Sequence, residues 1–92
     1  MIKSFKHKGL KKFFETGSKS GIQAKHAEKI SLILGFLNAS KTVKDMNLPA
    51  FKLHSLSGTR SDIWSVWVNG NWRITFRFNE GEAEIINYED YH

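Results

Sequence analysis

The chain has 92 residues, of which 40% are hydrophobic and 13% aromatic, and it contains no cysteine. That length suits one domain with its own core, and the missing thiols exclude a disulfide framework and a thiolate-bound zinc. The net charge of +5 suits a polyanionic partner such as nucleic acid, which is a statement about partners and not about fold.

The start, MIKSFKHKGLKKFF, carries lysines without the long apolar run of a signal peptide. No stretch approaches the roughly 20 apolar residues of a membrane span. The expectation is a soluble cytoplasmic protein with no membrane partner. A short strand is expected over Ile2–Phe5. In HKGLKKFFETG, Leu10, Phe13, Phe14 and Gly17 recur at helical spacing, with Lys8, Lys11 and Lys12 on the other side and Gly17 as a stop.

A second helix is expected over about Ile22–Asn38. Gln23, Ala27, Ile30, Leu34 and Leu37 share one face of it, and Lys25, Glu28 and Lys29 mark the opposite face. Leu32 and Phe36 also fall opposite. The first reading of them is that the earlier helix packs there as a helical hairpin; the second is an exposed patch for a partner protein. A further helical turn is expected over 41–47, before Pro49.

After Pro49 the period changes to two. FKLHSL puts Phe51 and Leu53 on one side and Lys52 and His54 on the other. Asn69-Gly70 reads as a type I′ hairpin turn. Beyond it Trp72, Ile74, Phe76 and Phe78 alternate with Arg73, Thr75 and Arg77, as a half-buried antiparallel strand does. Glu80-Gly81 is a second turn, and Glu82–Tyr88 a last strand. The fold class is α+β: N-terminal helices packed on a twisted antiparallel sheet of three to four strands, the other sheet face open and carrying the arginines.

Charge divides the same way. Residues 1–60 hold eleven lysines and Arg60 against three acids, a net +9, whereas residues 61–92 hold two arginines against six acids, a net −4. On the open face the expected gathering is Arg73, Arg77, His54, Lys52 and Arg60, joined by Asp90, Tyr91 and His92 from the tail NYEDYH. That is the equipment for cutting RNA without a metal. Imidazoles suit both proton transfers because their ordinary pKa is about 6.5. Guanidinium forks grip phosphate, and aromatic rings stack on splayed bases. Plainer readings stand beside this one: Arg77 or Arg73 paired with Glu82 or Glu84 across the hairpin, a hydrogen-bonded strand-end His54, and a loose tail. His7 and His26 read as structural or surface residues, and Trp64, Trp67 and Trp72 as core and hairpin packing. A His54/Asp90/His92 metal site is a further reading, but no fixed-spacing metal signature supports it.

MIKSFKHKGL, KLHSLSGTR, NWRITF and NYEDYH, in that order over the whole chain, resemble the HigB-type toxins of the RelE superfamily, also known as plasmid maintenance or killer proteins. The resemblance implies a RelE-like, microbial-ribonuclease-like fold and a ribosome-dependent mRNA interferase. Such a toxin cuts the message in the ribosomal A site by attack of its own 2′-OH and needs no metal or cofactor. It implies three partners: a HigA-type antitoxin with a helix-turn-helix domain, the 70S ribosome with its mRNA, and operator DNA through the antitoxin complex. Carried over, His54, Arg73, Asp90, Tyr91 and His92 are catalytic, and Asn71, Lys52 and Arg60 bind RNA. His92 or Asp90 would be the base and His54 the proton donor or its orienter, or the reverse. At position 57, where relatives can carry lysine, this chain has Ser57. The rival readings are a non-catalytic nucleic-acid-binding domain and a protein-interaction module.

Overall fold

Helices come first in the chain and strands last, and the computed structural model describes residues 1–56, 58–60 and 62–91. Helix α1 spans Lys8–Thr16 and α2 spans Ala27–Ala39. Strands β1 (His54–Ser55), β2 (Ile63–Asn69), β3 (Trp72–Asn79) and β4 (Glu82–Asp90) form one antiparallel sheet in the order β1-β2-β3-β4. Short 3₁₀ turns lie at Ala24–His26, just before α2, and at Val43–Met46 and Pro49–Phe51, between α2 and the sheet. This is the expected α+β architecture. Among the described residues no helix is long and apolar enough to cross a membrane.

Two local devices set α1. The His7 imidazole accepts the Leu10 N–H at its N-terminus, and Gly17 ends it at φ 79°. Only glycine takes that left-handed conformation without steric cost. Both faces of the sheet follow from alternation. One side of β2–β4 presents Val66, Val68, Ile74, Phe76, Ala83, Ile86 and Tyr88. These pack with Leu10, Ile30, Ile33, Leu34, Leu37, Met46 and Phe51 in one core. Trp64 and Trp72 border that core, as expected, but Trp67 does not.

The chain's first residues differ from the expected strand. They run beside β4 in two isolated parallel bridges, Ile2 with Ala83 and Phe5 with Ile86. A bulge in β4 separates the two. There Ile85 takes φ 47°, an uncommon and strained value for a β-branched residue, and its N–H turns to the Ser4 hydroxyl. The same segment decides the fate of Leu32 and Phe36. Lys6 and His7 both donate backbone N–H groups to the Ile86 carbonyl, which tethers the start of α1 at the β4 edge. Helix α1 therefore cannot lie over the outer side of α2. Leu32 stays 51% exposed and Phe36 39% exposed, on a shallow groove with Glu28 and Gly35. The helical-hairpin reading fails, and Leu32 and Phe36 are exposed as the second reading requires.

Two other expectations are corrected. The alternation in FKLHSL is not a strand throughout. Phe51 is buried in a 3₁₀ turn, Lys52 is left-handed at φ 48°, and only His54 and Ser55 pair with β2. The type I′ turn expected at Asn69-Gly70 is also corrected. Asn69 pairs with Trp72, so Gly70-Asn71 is the two-residue loop, with positive φ at Gly70 alone. Glu80-Gly81 has positive φ at both residues, the type I′ requirement.

Candidate active site

Three rungs cross the open face of the sheet. In the first, His54 pairs with Ser65, Ser65 with Thr75, and Thr75 with Asn87. In the second, Trp67 pairs with Arg73, and Arg73 with Glu89. In the third, Ile63 pairs with Arg77, and Arg77 with Glu84. Adjacent strands lie about 4.8 Å apart and residues rise about 3.3 Å, so the His54 and Arg73 backbones stand roughly 12 Å apart. Two side chains converging from that distance can touch one phosphodiester group.

The three arginines differ in what they hold. Arg77 donates from Nε to Glu84 at 3.0 Å and lies 3.6 Å from Asp62. It is the solvated cross-hairpin pair that the plainer reading describes. Arg60, expected to bind RNA, is engaged instead. Its Nη1 and Nη2 grip both Glu89 oxygens, at 3.2 and 2.7 Å. Arg73 has no such partner. Its Nη1 donates to the carbonyls of Gly70 at 3.0 Å and Trp72 at 3.2 Å, and no described carboxylate lies within ion-pair reach of it. Its Nε and Nη2 make no hydrogen bond to a described residue, which leaves one edge of the fork open.

Glu89 is the residue the sequence reading missed. It accepts from Arg60 and from the Thr75 hydroxyl. Burial alone would raise its pKa, but these hydrogen bonds outweigh burial and hold the carboxyl below the usual glutamate range. Its signal was available, since Glu89 alternates with Asn87 on the face of β4 that meets Arg73. Glu89, Arg60, Thr75 and Ile85 line a cavity of about 210 Å³ on this face, so the strained Ile85 borders it.

His54 is exposed on the edge strand, and its Nδ1 lies 3.2 Å from the Lys52 carbonyl. A carbonyl can only accept. That contact places an N–H on Nδ1 and leaves Nε2 as the ring nitrogen that can exchange a proton with substrate. Lys52 itself leans on Trp67, its ammonium 4.3 Å from the ring centroid.

Tyr91 is tied to the end of the sheet, contrary to the loose-tail reading. The Tyr91 N–H donates to the Asn71 carbonyl at 2.8 Å, and its ring centroid lies 5.6 Å from the Arg73 guanidinium carbon. The Tyr91 hydroxyl is buried without a partner among the described residues. Asp90 does not join the open face. It pairs with Trp72 on the last rung and, one residue out of phase with Glu89 and Tyr91, turns to the helical side. There it borders a second cavity, with His7, Trp72 and Tyr88. So Asn71, Arg73, Asp90 and Tyr91 gather at one end of the sheet but not on one face. His92 and Ser57 lie outside the described residues. Among the described residues no three His, Asp or Glu side chains are grouped to hold a metal ion.

His7 and His26 are structural, as read. His26 is 1% exposed, and its Nδ1 meets the Tyr88 hydroxyl.

A family model described as "RelE-like toxin of type II toxin-antitoxin system HigB" matches residues 3–92. The chain is 49% identical, over the full length of both, to a protein of Proteus vulgaris named endoribonuclease HigB. Its fold is similar to that of a histidine-to-glutamine mutant of YafQ from E. coli, with a TM-score of 0.64 at 15% identity, over 98% of this chain and 91% of that one. The chain therefore belongs to the HigB family, the RelE-like toxins of type II toxin-antitoxin systems.

Proposed function

We propose that the chain is an endoribonuclease that cleaves mRNA in the ribosomal A site. The observation that carries this is the open fork of Arg73 beside Tyr91, at the sheet end where the tail returns and on the face that presents His54. Two of the three arginines are paired with carboxylates, and Arg73 has no carboxylate partner among the described residues, which suits it to an external anion. The relative named endoribonuclease HigB supports the same reading.

In the proposed reaction the 2′-oxygen attacks the adjacent phosphorus and the P–O5′ bond breaks, leaving a 2′,3′-cyclic phosphate and a 5′-hydroxyl. His92 or Asp90 takes the 2′-OH proton. His54, on becoming imidazolium, protonates the departing 5′-oxygen from Nε2, or the two roles are exchanged. Asp90 would act from the rim of the sheet and not from its open face. Arg73 neutralises the charge that grows on the phosphorane, the kind of contact worth roughly 10²–10³ in rate. Tyr91 stacks on or orients a base, and Asn71 holds the message. Arg60 acts indirectly by fixing Glu89, which also accepts from the Thr75 hydroxyl. The proposed partners are a HigA-type antitoxin carrying a helix-turn-helix domain, the ribosome with its mRNA, and operator DNA reached through the antitoxin complex. The proposed location is the cytoplasm.

The test is induction in bacteria, with 5′-end mapping of messages and the same mapping on purified mRNA with and without ribosomes. Cleavage that appears only with ribosomes and disappears in Arg73→Ala is the expected result. RNA binding without any new 5′ ends would favour a non-catalytic nucleic-acid-binding domain.

A further inference from the structure

Two ammonium groups crowd one indole at the edge of the open face. Lys29 Nζ lies 4.8 Å and Lys52 Nζ 4.3 Å from the Trp67 ring centroid. The two nitrogens are thus no farther apart than the sum of those distances. Lys29 comes from α2 and Lys52 from the turn before β1, so the fold and not a local sequence run brings them together. No described carboxylate forms an ion pair with either. The cost of the pairing is visible in Lys29, whose pKa is lowered by burial and by the Lys52 charge.

An indole attracts each cation but does not cancel their repulsion. A shared anion would. Lys29 spends one donor on the Ala50 carbonyl at 2.9 Å and has two left. Trp67 holds its own N–H against the Gly70 carbonyl at 3.0 Å, which fixes the ring that both lysines approach. Its backbone partner across the sheet is Arg73, so the cluster adjoins the guanidinium with the open edge.

We propose that Lys29, Lys52 and Trp67 form a phosphate subsite for single-stranded RNA, binding a backbone phosphate next to the one held by Arg73. The site deepens the ribonuclease reading and rests on it for the identity of the strand. Arg73 takes the phosphate to be cut, and the lysine pair holds the strand in register through the neighbouring phosphate. Lys29 and Trp67 thereby join Lys52 as RNA-binding residues.

The test is binding of a 2′-O-methyl RNA hexanucleotide, which has no free 2′-OH to attack, across a series of salt concentrations. Wild type is compared with Lys29→Gln and Lys29→Arg, and the Trp67 indole N–H is followed by NMR. In wild type that signal moves saturably with RNA. Lys29→Gln is expected to weaken binding about five- to tenfold and make the salt slope shallower by about 0.7, the signature of one lost single-strand phosphate contact. Lys29→Arg, which keeps the charge, stays within twofold. Thermal unfolding of each variant separates loss of binding from loss of fold.

An unmoved Trp67 signal, or equal affinity and slope in Lys29→Gln, overturns the subsite. So does Lys29-dependent binding of poly-glutamate as tight as that of RNA, which would make the cluster a protein contact. Message cleavage, scored separately with ribosomes, keeps the two readings apart. Cleavage with a silent Lys29→Gln sinks the subsite alone, and Lys29-dependent RNA binding without cleavage sinks the nuclease alone.

Discussion

Arg60 holds Glu89 through both prongs of its guanidinium, at 3.2 and 2.7 Å, across the open face of the sheet. Arg60 is nearly half exposed, so the pair is worth only about 1 kcal/mol to folding. Glu89 matters more, because Thr75 is buried and has its hydroxyl bonded to it. Glu89→Ala should cost roughly 1.5–3 kcal/mol and Arg60→Ala about 1, measured by urea unfolding. Glu89 also fixes an acid limit. Its folded pKa is depressed, so its stabilisation is complete above the unfolded value of about pH 4.3 and is lost as pH falls through the lower folded value. Glu89→Gln should flatten the unfolding free energy in that acid window.

Arg73 should separate chemistry from folding. Among the described residues its hydrogen bonds go only to carbonyls of its own hairpin, Gly70 and Trp72. Arg73→Ala is expected to change stability by less than about 1 kcal/mol, the net value of ordinary hydrogen bonds. Cleavage should fall by roughly 10²–10³, as for loss of one charge-stabilising donor. Arg77→Ala, which breaks pairs with Glu84 and Asp62, should leave cleavage within a few-fold. Equal losses in the two variants would mean that the whole charge of the face, and not the open fork, does the work.

The tail calls for point substitutions in place of truncation. Removing residues 90–92 takes away the Asp90–Trp72 rung and the Tyr91–Asn71 hydrogen bond as well as any catalytic group. That truncation should lower stability by about 1–2 kcal/mol in addition to stopping cleavage. His92→Ala should stop cleavage, with thermal unfolding of the variant as the check on its fold. Assaying Asp90→Asn and His92→Gln side by side identifies the base as the residue whose loss is larger and removes one limb of the pH–rate profile.

Much of this was legible because apolar alternation in β3 and helical spacing in α1 report burial directly. Trp72, Ile74 and Phe76 read as one face, and that face is the core side. What stayed hidden depends on geometry that no short window contains. The phase of β4 past Tyr88 decides that Asp90 and Tyr91 part company, and the Ile85 bulge resets that phase. The attachment of Lys6 and His7 to Ile86 decides that α1 cannot cover Phe36. Glu89 was overlooked because a glutamate beside a terminal cluster looks like solvated charge until its partner from a distant loop, Arg60, is placed.

Two histidines make folding sensitive to mild acid. His26 is buried against Tyr88, and His7 accepts a hydrogen bond at the start of α1. Burial lowers both pKa values. Between those lowered values and the unfolded value of about 6.5, the unfolded chain binds more protons, so stability falls as pH drops below about 6.5. The melting temperature should therefore decrease from pH 7 to pH 5. His26→Gln should be less stable at pH 7 and show a shallower decrease.

Glycines at three positions should respond oppositely to alanine. Gly9, in the first turn of α1, and Gly21, ahead of α2, meet backbone to backbone. A Cβ on Gly9 would lie 2.3 Å from the Gly21 carbonyl oxygen, and one on Gly21 would lie 2.5 Å from the Gly9 Cα. Neither neighbour is a side chain that can swing aside, so α1 would have to leave its seat on the β4 edge. Gly9→Ala and Gly21→Ala should each destabilise by about 1–3 kcal/mol or more, the range for overpacking. Gly35 lies within α2 on its outer side, and a Cβ there meets nothing within 4 Å. Gly35→Ala should stabilise by about 0.5–1 kcal/mol through helix propensity and lost chain entropy. Thermal unfolding of the three variants checks this. A destabilised Gly35→Ala would mean that the groove beside Leu32 and Phe36 closes on something more than solvent.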